Sequence, residues 1–170
     1  MPVEEERLQH ALALAYRYLN RRERTASEVR RHLERNGIDA AGCEQALGVL
    51  TEEGTIDDAR FARLFVQDKR ELAEWGRERI RQGLLARGID RDLIESALDA
   101  GPERAWDGAP EPCPDPQQAE LERAVGVLSR RFPAPPRERR DRERALGLLI
   151  RKGYDPDLAL DALTAYAHAG

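Results

Sequence analysis

The chain writes one spacing three times. Around Gly37 stand Val29 and Leu33, then Ile38 and Asp39, then Ala46 and Leu47. Around Gly88 the same places hold Ile80, Leu84, Ile89, Asp90, Ala97 and Leu98. Around Gly153 they hold Ala145, Leu149, Tyr154, Asp155, Ala162 and Leu163. Counted from each glycine, the offsets −8, −4, +1, +2, +9 and +10 recur unchanged. Such self-similarity decides architecture, because each copy is one supersecondary unit that buries its apolar face against neighbours.

The spacing has a mechanical meaning. Apolar residues at −8 and −4 lie one above the other on a helix face. The glycine supplies the left-handed residue that ends the helix, where a side chain would cost energy. The next residue, Ile38, Ile89 or Tyr154, packs back on the helix just ended. The aspartate after it is placed to cap the following helix, and in the third copy Pro156 occupies the favoured first helical position. The expected fold is all-α: three tandem three-helix repeats, about nine main helices, in an elongated, curved array.

Helical periodicity divides the chain. Repeat 1 spans residues 5–54. Its first helix, from about Glu5 to Arg22, carries Leu8, Ala11, Leu12, Ala15 and Leu19 on one face. Thr25 and Glu28 make a capping box for its second helix, and Asp39 opens its third, which Gly54 stops. Repeat 2 spans 55–100, opening at Thr55-Ile56-Asp57-Asp58. Repeat 3 spans 118–167. Between them, residues 101–117 hold five prolines (102, 110, 112, 114 and 116) and read as a linker. The Pro133-Ala134-Pro135-Pro136 stretch reads as a loop inside repeat 3.

Several function classes find no support. His10, His32 and His168 are isolated, without partners at ligand spacing, so neither a metal site nor a cofactor is expected. Asp57 and Asp58 sit where helix caps belong, and no glycine loop could cradle a phosphate. No catalytic residue is assigned, and the chain is not expected to be an enzyme. Cys43 and Cys113 suggest no disulfide framework. No apolar run approaches a membrane span and residues 1–7 are acidic rather than signal-like, so a cytoplasmic monomer without membrane contact is expected. The net charge of −4 removes any global pull towards nucleic acid.

The middle of the chain resembles a known family. Gly54-Thr55-Ile56-Asp57-Asp58-Ala59-Arg60-Phe61-Ala62, followed by Val66, Arg70, Trp75-Gly76 and Arg79-Ile80, is similar to the signature of the RecX family of bacterial regulatory proteins. Tyr18-Leu19, Arg24, Ser27-Glu28-Val29 and Leu33 of repeat 1 resemble it too. The resemblance implies a non-enzymatic modulator that binds the recombinase RecA, free or as its filament on DNA. It further implies inhibition of RecA's ATPase, strand-exchange and coprotease activities, and so a part in recombination, DNA repair and the SOS response. A helical module acting on DNA directly and a repeat scaffold for another partner are the alternatives.

Charge placement adds a separate hint. On a helical wheel Arg17 and Arg21 lie opposite the apolar stripe of repeat 1's first helix. Arg60, Arg63 and Arg70 do so in repeat 2, and Arg123 and Arg130 in repeat 3. These seven arginines are the candidate partner-binding residues, for acidic protein surface or, in a weak contact, DNA phosphate. A solvated amphipathic surface accounts for exposed charge in general but less well for the repeated sign. Ser129 to Lys152 carries nine basic and three acidic residues, a local excess of +6. From the glycine pattern, Gly88→Val should lower stability by more than about 1 kcal/mol, since a β-branched residue is poorly tolerated at positive φ. Chemical denaturation checks this, and an unchanged midpoint would remove the turn assignment.

Overall fold

The computed structural model describes residues 2–100 and 115–169. Nine helices form its regular structure: α1 (Pro2–Leu19), α2 (Ala26–Arg35), α3 (Ala40–Glu52), α4 (Asp58–Glu71), α5 (Arg77–Leu85), α6 (Arg91–Asp99), α7 (Pro116–Arg131), α8 (Arg139–Lys152) and α9 (Pro156–Ala169). There is no strand among the described residues. Most of the proline-rich segment, with Cys113, lies outside them. α7 starts two residues earlier than expected, because Asp115 caps it from outside and Pro116 takes its first turn. α1 stops at Leu19 rather than near Arg22.

The three glycine turns share one hydrogen-bond pattern. Gly37, Gly88 and Gly153 have φ of +83°, +78° and +89°. The glycine N–H donates to the carbonyls of Glu34, Leu85 and Ile150 at 2.9–3.0 Å. The next residue, Ile38, Ile89 or Tyr154, donates to Leu33, Leu84 or Leu149 at 3.1–3.2 Å. This pair of bonds satisfies carbonyls that a helix end leaves without partners. The capping box at Thr25 and Glu28 forms, Asp39 accepts from Gly42 N–H at 2.8 Å, and Asp57 accepts from Arg60 N–H at 2.8 Å.

The described residues fall into two compact units. The first holds the residues up to Ala62 together with Leu84–Ile94. The second holds Arg63–Gly83 and the residues from Glu95 on. In the first, α1, α2 and α3 pack on one another around Val29, Leu33, Cys43, Leu47, Leu50 and Ile56, with Ala11, Ala15 and Ala46 buried among them. In the second, α9 packs on α7 and α8 around Leu128, Leu149, Tyr154, Leu158, Leu163 and Tyr166. Each fully buried Leu or Ile contributes roughly 1.5–3 kcal/mol. Ile80, Leu84, Ile94 and Leu98 of α5 and α6 are buried as well.

One polar joint occurs in both units. In the first, Thr25 Oγ1 donates to the carbonyl of Arg87 at 2.8 Å, one residue before Gly88. In the second, Gly76 N–H donates to the carbonyl of Lys152 at 2.8 Å, one residue before Gly153. Thr25 and Gly76 hold the same place, twelve residues before Gly37 and Gly88. The residue after each, first in its helix, gives its N–H to a carboxylate from further along the chain. Ala26 donates to Asp58 Oδ1 at 2.9 Å and Arg77 to Glu120 Oε1 at 2.7 Å. Thus the start of α2 rests on the end of α5, and the start of α5 on the end of α8. Positive and negative ends of helix dipoles meet in each case.

The joint leaves no room at its glycines. A Cβ on Gly88 would overlap Ser27, and one on Gly153 would overlap Arg79. A Cβ on Gly76 would stand 2.5 Å from the backbone of Gly153 and Tyr154. Gly76→Ala should therefore cost about 1–3 kcal/mol, since backbone must shift to admit the methyl. Gly48→Ala, on α3 with nothing within 4 Å of the added carbon, should be neutral or stabilising by up to about 1 kcal/mol. Urea midpoints compare the two, and similar behaviour would show that the joint does not constrain Gly76.

Candidate interaction surface

The arginines singled out from sequence divide into two groups. Arg17 is exposed on α1, and Arg21 is exposed in the turn beyond it, off the helix on which the wheel put it. Arg123 is half-buried on α7. The others are engaged. Arg60 pairs with Glu23 at 2.5 Å, and Arg130 pairs with Glu74 at 2.5 Å. Arg63 is half-buried with an interaction of its own. Arg70 departs furthest from the outward expectation. It donates to the carbonyls of Leu98 at 2.7 Å and Ala100 at 3.4 Å, closing the end of α6.

Two glutamates explain part of this demand for cations. Glu23 and Glu74 each stand fourteen residues before their repeat's glycine, and each receives a basic side chain. Glu74 has a φ of +56°, a left-handed conformation uncommon outside glycine. It is held there from several sides. Lys152 Nζ donates to its carboxylate and to the carbonyl of Ala73, both at 3.0 Å, and the Tyr154 hydroxyl donates to its carbonyl at 3.3 Å. The Lys152 hydrogen bond, reinforced by Arg130, pulls its carboxyl below the usual range. Burial pushes the Tyr154 phenol up to about 12.

The aspartates behave as structural caps, but for different helices. Asp57 caps its own helix, whereas Asp58 serves α2 through Ala26. Burial pushes the Asp58 carboxyl up, against the opposing effect of the Ala26 N–H. In the second unit Arg77 bridges Glu95 at 3.0 Å and Asp99 at 2.6 Å, while Arg81 bridges Glu95 at 2.7 Å and Glu78 at 2.6 Å. The glutamate-to-cation pattern was present in the sequence, but spacing within one repeat cannot show a partner in the next.

Around Tyr18 the first unit stacks polar rings. His32 lies 4.0 Å from it and nearly parallel, and the Arg24 guanidinium lies 4.4 Å above the same ring. Burial, with Arg35, Arg24 and Arg21 nearby, holds His32 below its ordinary value. No group of three or more His, Cys, Asp or Glu able to hold a metal ion occurs among the described residues. No described helix is long and apolar enough to cross a membrane.

Fold and joints define the class, an all-α protein of repeated three-helix units. Known proteins share it. The model described as RecX, first three-helix domain, matches residues 11–50, and that for the second three-helix domain matches residues 57–98. The Regulatory protein RecX of Deinococcus radiodurans is 34% identical over 163 residues, 96% of this chain and 71% of that one. The Regulatory protein RecX of Lactobacillus delbrueckii subsp. bulgaricus is 39% identical over 95 residues, 56% of this chain but only 35% of that relative's length. The crystal structure of RecX from Lactobacillus salivarius has the same fold, with a TM-score of 0.77 at 19% identity, covering 98% of this chain and 99% of that one. The chain belongs to the RecX family of regulatory proteins.

The ion-pair network around Glu95 has a pH signature. Hydrogen bonds from Arg81, then Arg77, hold the Glu95 carboxyl down at about 2, from an ordinary 4.5. The unfolded chain therefore takes up this proton at higher pH than the folded one. Stability from this group is present above pH 4.5 and lost as pH falls towards 2. Glu95→Gln should lower stability at neutral pH and give a shallower decline across that acid window. Denaturation midpoints at stepped pH measure it, and parallel curves would remove Glu95 from the acid response.

Proposed function

We propose that this protein binds the recombinase RecA, free or as its filament on DNA, and inhibits ATP hydrolysis, strand exchange and coprotease activity. Likeness to RecX regulators along nearly the whole chain carries this reading. It is supported by what the chain offers chemically. Many of its polar groups cap helices and pair with one another, which suits a protein that acts by docking. In this reading three repeats, residues 5–54, 55–100 and 118–167, present surface to RecA, with 101–117 as the linker. The protein works as a monomer in the cytoplasm, with no more than weak contact to DNA.

The seven arginines contribute unequally. Arg17, Arg21 and Arg123, which have no ion-pair partner among the described residues, are the residues best placed to meet acidic RecA surface. Arg60 and Arg130 would have to exchange Glu23 and Glu74 for a partner's carboxylates, and such exposed pairs are individually worth only about 0–1 kcal/mol. Arg63 belongs to the same surface. Arg70 is tied to the end of α6, so its replacement tests folding as much as binding.

The protein added to cognate RecA should lower its DNA-dependent ATP hydrolysis at near-stoichiometric ratios, with no hydrolysis of its own. The Arg17→Gln, Arg21→Gln double variant should keep its denaturation midpoint yet need several-fold more protein for half inhibition. Its inhibition should also depend less on salt, because screening weakens charged contacts. Unchanged RecA turnover at saturating amounts of wild type would refute the RecA reading. Full potency in the double variant would spare that reading and remove these two arginines from the surface.

A further inference from the structure

The most basic stretch of the chain lines a groove of its own. An open groove of about 910 Å³ runs between the loop leaving α7 and one face of α8. Phe132, the proline turn and Leu148 form its apolar side, and Arg131, Arg137, Arg144 and Arg151 stand around it. The groove is preformed. Proline fixes φ along the loop, and the Tyr166 hydroxyl on α9 donates to the carbonyl of Phe132 at 2.5 Å, tying the loop's start to the core.

Its charge is largely uncommitted. Arg144 reaches Asp141 only at 3.6 Å and keeps a side chain that is 70% exposed. Arg131, Arg137 and Arg151 form no ion pair with any described residue. Against these four arginines the lining sets two carboxylates, Glu138 and Asp141. The positive excess therefore lies beside an apolar wall, and the two features select a ligand together. Single-stranded nucleic acid fits less well, because such sites combine a positive groove with exposed rings on which bases stack. The one ring here, Phe132, packs against the core of the second unit.

We propose that this groove docks an acidic amphipathic peptide segment of a partner protein, its apolar side chains against Leu148 and the proline turn, its carboxylates on Arg137 and Arg151. The inference is independent of which protein supplies the segment. It therefore does not stand or fall with the RecA reading.

A fluorescein-labelled peptide with Leu at every third or fourth position among Glu residues probes it, by anisotropy with the full chain. The peptide should bind saturably, and more weakly as salt rises from about 0.05 to 0.2 M. Arg137→Gln with Arg151→Gln should weaken it at least about fivefold without moving the denaturation midpoint. Arg7→Gln with Arg91→Gln, two exposed arginines elsewhere, should leave it unchanged. A peptide with Leu replaced by Ser should lose most of its affinity. Three results would each overturn the proposal: equal binding by the groove variant and wild type, equal binding of the Ser peptide, or tighter groove-dependent binding of labelled oligothymidylate of about 16 nucleotides.

Discussion

The joints of this fold hang on how the second helix begins in repeats 1 and 2. A helix start exposes N–H groups that need acceptors, and burying them without partners costs about 1–3 kcal/mol each. Here the acceptors come from residues further along the chain. The carbonyls that end α5 and α8 accept from the Thr25 hydroxyl and the Gly76 N–H, while Asp58 and Glu120 accept the N–H of the residue after each. Glu120 is 94% buried for this purpose, a placement a carboxylate tolerates only when hydrogen-bonded. The glycine turns consequently answer to two constraints. Gly37 has nothing within 4 Å of an added Cβ and is required only by its positive φ. Gly88 and Gly153 are required both by φ and by the chain lying against them.

Arginine suits this architecture for a geometric reason. Its planar fork offers several donors at once, and helix ends offer carbonyls without partners. Arg70 and Arg77 both reach the carbonyl of Leu98, and Arg79 donates to that of Arg151 at 2.9 Å. Arg79 also covers the Trp75 ring at 4.2 Å. A chain with only two lysines among 28 basic residues is thus using arginine for cohesion as well as for surface charge. Glu74 shows what that cohesion achieves. A left-handed glutamate costs of order 1 kcal/mol or more, and it persists because Lys152, Arg130 and Tyr154 over-determine its position.

The repeat was legible because its signals are local. Leu33, Gly37, Ile38 and Asp39 sit within seven consecutive residues, so their spacing encodes a turn and a cap directly, and the same holds at Gly88 and Gly153. The Thr25–Glu28 box is local too. Asp58 was legible only as a cap, not as the cap of α2, because its N–H donor lies 32 residues away. Arg70 failed as an outward residue for the same reason: the wheel sees α4 alone, while its carbonyl acceptors belong to α6. Arg21 slipped because nothing in its own spacing marks the end of α1 at Leu19, where no glycine stands. The RecX resemblance rested on residues such as Asp58, Gly76 and Arg79, which the joints employ.

Stability in such a chain is the sum of what each repeat contributes and what neighbours add. The cores around Leu33 and Leu149 are mainly apolar and respond less to salt or pH. The joints are polar, built from carboxylates, guanidinium groups and helix ends, so they respond to both. Solution conditions therefore act on the coupling between repeats before they act on the repeats themselves. A protein that docks on a partner through several faces depends on that coupling, because simultaneous engagement requires the faces to keep their spacing. Loosening Thr25–Arg87 or Gly76–Lys152 would weaken that coupling while the cores around Leu33 and Leu149 remained folded.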